Sequence, residues 1–130
     1  SRSPIIHTEG NTIIMDAYNA NPTSMAAAIR NFRQFRSGPR AVMLGDMLEL
    51  GSYSTDEHRH IMEMVTESAF DLNVFVGHQF SKAVRPGSNT LLFAETDQAL
   101  NWLSENKLKG YTILIKGSRG IKMERLLSHL

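Results

Sequence analysis

Cysteine is absent from the 130 residues, which excludes disulfides, thiolate catalysis and cysteine-ligated metal. The lack fits a cytoplasmic protein, and that is the expected location. An excess of one charge is missing too. Fourteen Lys and Arg against 13 Asp and Glu leave a formal net charge of +1, so no global field draws the chain to nucleic acid or an anionic membrane. No apolar run approaches the roughly 20 residues of a membrane helix, and no secretory segment opens the sequence. The phosphate-cradling pattern G-x-x-x-x-G-K-[ST] is also absent.

What is present is enough apolar material, 42% of the residues, for one domain with a full core. Residues 1–10, broken by Pro4 and Gly10, read as a lead-in, with Ile5 and Ile6 covering an edge. Residues 11–130 read as the domain. The chain opens on Ser1, and the expectation is of a piece processed or excised from something longer.

Periodicity alternates between strand and helix. Strands are predicted at 12–16, 40–44, 73–76, 90–93 and 111–115. A helix opens just after Pro22, carries Met25, Ala28, Ile29, Phe32 and Phe35 as an apolar stripe, and stops at Ser37-Gly38-Pro39. A second helix starts near Ser54 or Thr55, with Asp56 and Glu57 suited to its first turn, and buries Ile61, Met64 and Val65. A short helical turn covers 79–83. A further helix at 95–106 packs through Ala99, Leu100 and Leu103, and a last one is built on Ile121, Met123, Leu126 and Leu127. The economical architecture is an α/β, Rossmann-like three-layer domain with a mostly parallel sheet.

Three strand exits are polar, and in such a sheet they share one edge, where open α/β folds bind ligands. In 16–22, turn and cap chemistry accounts for the asparagines and Pro22. Tyr18 goes beyond turning: an aromatic hydroxyl beside amides suits an adenine or ribose, which makes Asp16, Tyr18, Asn19 and Asn21 candidates for nucleotide contact. In 45–51, glycines bracket Asp46 and Glu49, which could orient an amine, hold Mg²⁺ or stand solvated. In 116–120, Lys116, Ser118 and Arg119 flank turn glycines and suggest a carboxylate or phosphate site. His58 and His60 point to different helix faces, so a shared metal is not expected. Arg30, Arg33 and Arg36 read as a solvated face or a surface touching another domain, since no aromatic residues interleave with them.

Taken in order, Asp16-Ala17-Tyr18-Asn19-Ala20-Asn21-Pro22-Thr23-Ser24-Met25, Leu44-Gly45-Asp46-Met47-Leu48-Glu49-Leu50-Gly51 and Lys116-Gly117-Ser118-Arg119 resemble the C-terminal domain of the Mur ligase family, in its D-alanyl-D-alanine-adding branch. Arg2-Ser3 also resembles the end of the linker entering that domain. The resemblance implies an ATP-dependent amide-bond ligase of peptidoglycan precursor synthesis. ATP converts the carboxylate of a UDP-N-acetylmuramoyl-tripeptide to an acyl phosphate, and D-alanyl-D-alanine attacks it. It implies nucleotide contact at Asp16, Tyr18, Asn19 and Asn21, and the dipeptide carboxylate at Lys116, Ser118 and Arg119. Asp46 and Glu49 would lie near the dipeptide's amine or brace their loop. ATP and Mg²⁺ would be bound mainly by a central domain, and the UDP-sugar by an N-terminal one, neither in this chain. No metal site or catalytic residue is expected here, and the domain alone should be inactive. Three rival readings remain: a stand-alone nucleotide- or anion-binding module, a metal hydrolase using Asp16, Asp46, Glu49 and a histidine, and a pure interaction domain.

Overall fold

The computed structural model describes residues 3–17 and 19–130. Its sheet has six strands: β1 (Ile5–His7), β2 (Thr12–Asp16), β3 (Arg40–Gly45), β4 (Leu72–Val76), β5 (Thr90–Phe93) and β6 (Thr112–Lys116), in the spatial order β1-β2-β6-β3-β4-β5. Among these described strands the β1–β2 pair is antiparallel and the other pairs are parallel. The lead-in is thus part of the sheet. Its Ile5-Ile6-His7 run lies on the outer edge of β2, so residues 5–7 extend the layer.

Among the described residues four α-helices flank the sheet: α1 (Pro22–Phe32), α2 (Ser54–Ser68), α3 (His78–Ala83) and α4 (Thr96–Glu105). The strands alternate between faces as their two-residue period demands. Ile14, Val42, Leu44, Phe75 and Leu114 pack with Met25, Ile29 and Phe32 of α1, Ile61 and Val65 of α2, and Phe80 of α3. Their neighbours Ile13, Ala41, Met43, Val74, Val76, Ile113 and Ile115 pack on the opposite face with Ala99 and Leu103 of α4 and with Met123 and Leu126. Burying side chains of this kind stabilises by roughly 1.5–3 kcal/mol each, which makes the two-faced core the dominant favourable term.

The chain steps outward from β3 to β4 to β5, then returns to place β6 between β2 and β3. That reversal puts α4 on the other face from α1, α2 and α3, as crossovers of one hand require. The carboxyl ends of β2, β6 and β3 therefore flank the point where the winding switches face. Loops diverging there leave a crevice.

Three expectations shift. The α1 helix ends at Phe32, leaving Phe35 exposed, and the last helical segment is a 3₁₀ run over Met123–His129 rather than an α-helix. Lys122 enters that run in the left-handed conformation, φ 60°, which breaks continuity with the short turn at Arg119–Ile121. Arg33, expected on a solvated face or a surface touching another domain, ties α1 to α2 through Ser68 Oγ at 2.6 Å and the Met64 carbonyl at 3.1 Å.

Candidate functional site at the carboxyl edge

The α1 end of the site is set by local chemistry. Asn21 is the N-cap, accepting the Ser24 N–H on Oδ1 at 2.9 Å, while Ser24 Oγ accepts the Asn21 N–H and Pro22 occupies the first turn. Asp16, the last residue of β2, lies level with Lys116 of β6. The Lys116 ammonium is 2.9 Å from Asp16 Oδ2 and donates to the Asn19 carbonyl at 2.9 Å. Lys116 is only 2% exposed, a position a lysine tolerates when its charge is paired and hydrogen-bonded. It ties the 16–22 loop down to the sheet.

At the β3 exit, Asp46 is buried and both its oxygens accept backbone N–H groups of α3: Gln79 on Oδ2 and Phe80 on Oδ1, each at 2.9 Å. Such a carboxylate stabilises a helix start by its hydrogen bonds and by the helix dipole. Gly77 makes this approach possible: its φ is 132°, and a Cβ there would overlap the Asp46 carboxylate. Met47 follows, fully buried, and its N–H donates to His58 Nε2 at 3.0 Å. Leu48 and Glu49 then turn outward, Glu49 with φ 66°, a conformation costing a residue with a side chain about 1–2 kcal/mol.

Ser118, at the β6 exit, joins all three loops. Its N–H donates to the Asp46 carbonyl at 3.0 Å, its Oγ accepts the Leu48 N–H at 2.9 Å, and the same hydroxyl points to the Ala20 carbonyl at 3.4 Å. Gly45 and Gly117 allow the backbones this closeness: a Cβ on Gly117 would lie 3.0 Å from the Gly45 Cα and 2.8 Å from Met123 Cγ.

The residues singled out from sequence therefore share one edge and divide by burial. Lys116, Ser118 and Asp46 are inside, and Asp16 is half-buried; the first three have internal partners. Asn19, Asn21, Glu49 and Arg119 are exposed around them. Tyr18 lies outside the described residues. Lys116 already donates to the Asn19 carbonyl, the Ser118 N–H to the Asp46 carbonyl, and both Asp46 oxygens accept amides of α3. A groove of about 250 Å³ opens beside Asp16, lined by Ile14, Ser24, Asn31, Phe32 and Phe35 among others. Among the described residues no group of three or more His, Asp or Glu could hold a metal ion, and the Asp46 oxygens are already occupied by amides.

Sequence reasoning weighed His58 only as a metal partner of His60 and gave it no place at the site. His58 is fully buried, its pKa lies below the usual 6.5, chiefly because burial penalises the imidazolium, and it contacts Phe80 edge-to-face with ring centres 4.5 Å apart. The signal was the helical period, since Ser54, His58, Ile61 and Val65 form the buried stripe of α2.

A doubly wound sheet whose polar loops gather at the winding reversal defines a Rossmann-like α/β domain, and sequence comparison gives its family. Residues 1–119 match the model of the Mur ligase, glutamate ligase domain, and the chain belongs to that family. Over 99% of its length it is 34% identical to the UDP-N-acetylmuramoyl-tripeptide–D-alanyl-D-alanine ligase of Bacillus subtilis, and over 98% it is 33% identical to the enzyme of that name from Escherichia coli. In structure it is similar to MurF from Acinetobacter baumannii, with a TM-score of 0.83 and 31% identity over 98% of the chain. It spans 30%, 28% and 29% of those three proteins' lengths.

Proposed function

We propose that this chain is the substrate- and nucleotide-closing part of an ATP-dependent ligase that joins D-alanyl-D-alanine to a UDP-N-acetylmuramoyl-tripeptide through an acyl phosphate, in the bacterial cytoplasm. The observation that carries the reading is Ser118, which binds the 16–22, 45–51 and 116–120 loops into one half-site. Half-sites of this kind act by positioning, and the phosphate-holding and metal-holding groups are expected on other domains of the same ligase.

Within the half-site, Asn19 and Asn21, with Tyr18, are the nucleotide-facing set, steadied by the Lys116–Asp16 pair. Arg119 is the exposed cation for the dipeptide carboxylate, a role guanidinium geometry suits. Glu49 is the exposed acid for its amine. Lys116, Ser118 and Asp46 hold these groups in place. ATP supplies the phosphoryl group that activates the peptide carboxylate, with Mg²⁺ bound mainly outside this chain.

The test is a chimera in which this chain replaces the corresponding part of the Bacillus subtilis ligase. ATP-dependent condensation is expected from the chimera and not from the chain alone. In the chimera, Asn19→Ala should raise the KM for ATP more than that for the dipeptide, and Arg119→Ala the reverse. An inactive but folded chimera, or equal effects of both substitutions on both substrates, would overturn the assignment. The alternative is a stand-alone nucleotide- or anion-binding module, which predicts useful affinity of the chain alone for ATP in calorimetry.

A further inference from the structure

His58 lies beneath the 45–51 loop and takes no part in the functional reading above. Its two ring nitrogens have partners of fixed character. Nδ1 lies 2.6 Å from the Ser54 carbonyl, which can only accept, and Nε2 lies 3.0 Å from the Met47 N–H, which can only donate. The ring is thereby specified as the neutral tautomer with its proton on Nδ1. We propose that His58 is a positioning residue whose neutral Nδ1–H form holds Met47, and through it Leu48 and Glu49, in the geometry of the carboxyl-edge site.

The loop needs such a hold. Glu49 sits at φ 66°, and a strained residue persists only when its surroundings over-determine it. The restraint is applied at the two residues that lead into that strain, by His58 on Met47 and by Ser118 on Leu48. Protonation would place an Nε2–H against the Met47 N–H, donor against donor. The acceptor within reach is Asp46 Oδ1, 3.9 Å from Nε2, and it already takes the Phe80 N–H of α3. Acid therefore releases the loop and competes for the cap of α3 in one event. The charges acting on the ring are Asp46, from the β3 exit, and Glu57, on its own helix; α3 faces it with uncharged Phe80, and Gln79 reaches it through the Ser54 hydroxyl. Both acids favour the imidazolium and burial opposes it, with burial the larger influence. The inference depends on the proposed function only for what the loop serves. The experiment reads the loop itself.

The experiment is nuclear magnetic resonance on the 130-residue chain. At neutral pH, long-range proton–nitrogen spectra should show His58 protonated on Nδ1 and bare on Nε2. On acidification the Met47, Leu48 and Glu49 amides should shift together with the ring. A ring protonated on Nε2 at neutral pH, or loop amides that do not follow it, would overturn the proposal. Two variants separate positioning from packing. His58→Gln keeps an acceptor for Met47, and His58→Phe fills the space without one. Hydrogen exchange at Met47 should quicken roughly tenfold or more in the Phe variant, from loss of a buried donor's partner, and far less in the Gln variant. Equal exchange in both folded variants would contradict the inference. If neither variant folds, the wild-type titration decides the matter.

Discussion

The ammonium of Lys116 and the carboxylate of Asp16 meet at 2.9 Å across neighbouring parallel strands, at the carboxyl edge where both strands end. The pair is unequal, with Lys116 buried and Asp16 about a third exposed. Its strength therefore lies between that of a surface ion pair and a fully buried one.

Lys116→Met keeps the apolar stem and removes the charge, leaving Asp16 and the Asn19 carbonyl without their donor. It should destabilise the chain by about 1–3 kcal/mol. In urea unfolding, the double variant with Asp16→Asn should lose less than the sum of the single losses, by about 1 kcal/mol or more. Strict additivity would mean that the two side chains do not interact.

Gly77 and Gly51 both have positive φ, but only Gly77 has a neighbour where a Cβ would go. Gly77→Ala should cost more than about 3 kcal/mol, because it evicts Asp46 from the α3 start as well as straining the backbone. Gly51→Ala, with φ 57° and open space around it, should cost about 1 kcal/mol. Comparable melting temperatures for the two variants would refute the role given to the Asp46 cap.

Glu49 offers a test of stored strain. Glu49→Gly should be more stable than Glu49→Ala by about 1 kcal/mol, since both lose the carboxylate and glycine alone accepts φ 66° freely. In the chimeric ligase both should raise the KM for the dipeptide. Equal stability of the pair would show that the loop relaxes when the side chain is removed.

The pH dependence of stability follows from His58. Its folded-state pKa lies below the unfolded value of about 6.5, so the unfolded chain binds the extra proton first. This contribution is complete above about pH 6.5 and is lost as pH falls from there toward the folded-state pKa, with a slope of at most about 1.4 kcal/mol per pH unit. Denaturant midpoints measured from pH 7.5 to 5 should fall for the wild type. They should fall less for a folded His58→Gln.

Much of the fold could be read directly. The apolar runs at 12–16 and 111–115 marked strands of a mostly parallel sheet, and Pro22 marked the start of α1. Polar residues at the ends of β2, β3 and β6 marked the three loops that the structure brings to one edge. The edge strand at 5–7 was less legible because three residues carry too little periodicity, and the 3₁₀ character of 123–129 depends on how Lys122 enters it.

By itself the sequence determined which residues face a core, where strands give way to polar loops, and that those loops resemble a ligase half-site. Tertiary structure alone decided that β6 enters between β2 and β3, and hence that Lys116 meets Asp16 and Ser118 meets Leu48, and that β3 pairs with β4, which lets Asp46 cap α3. The reason is physical: side-chain period encodes the face a residue presents. Which distant residue it meets depends on strand order and register, and those are set by the packing of the whole sheet.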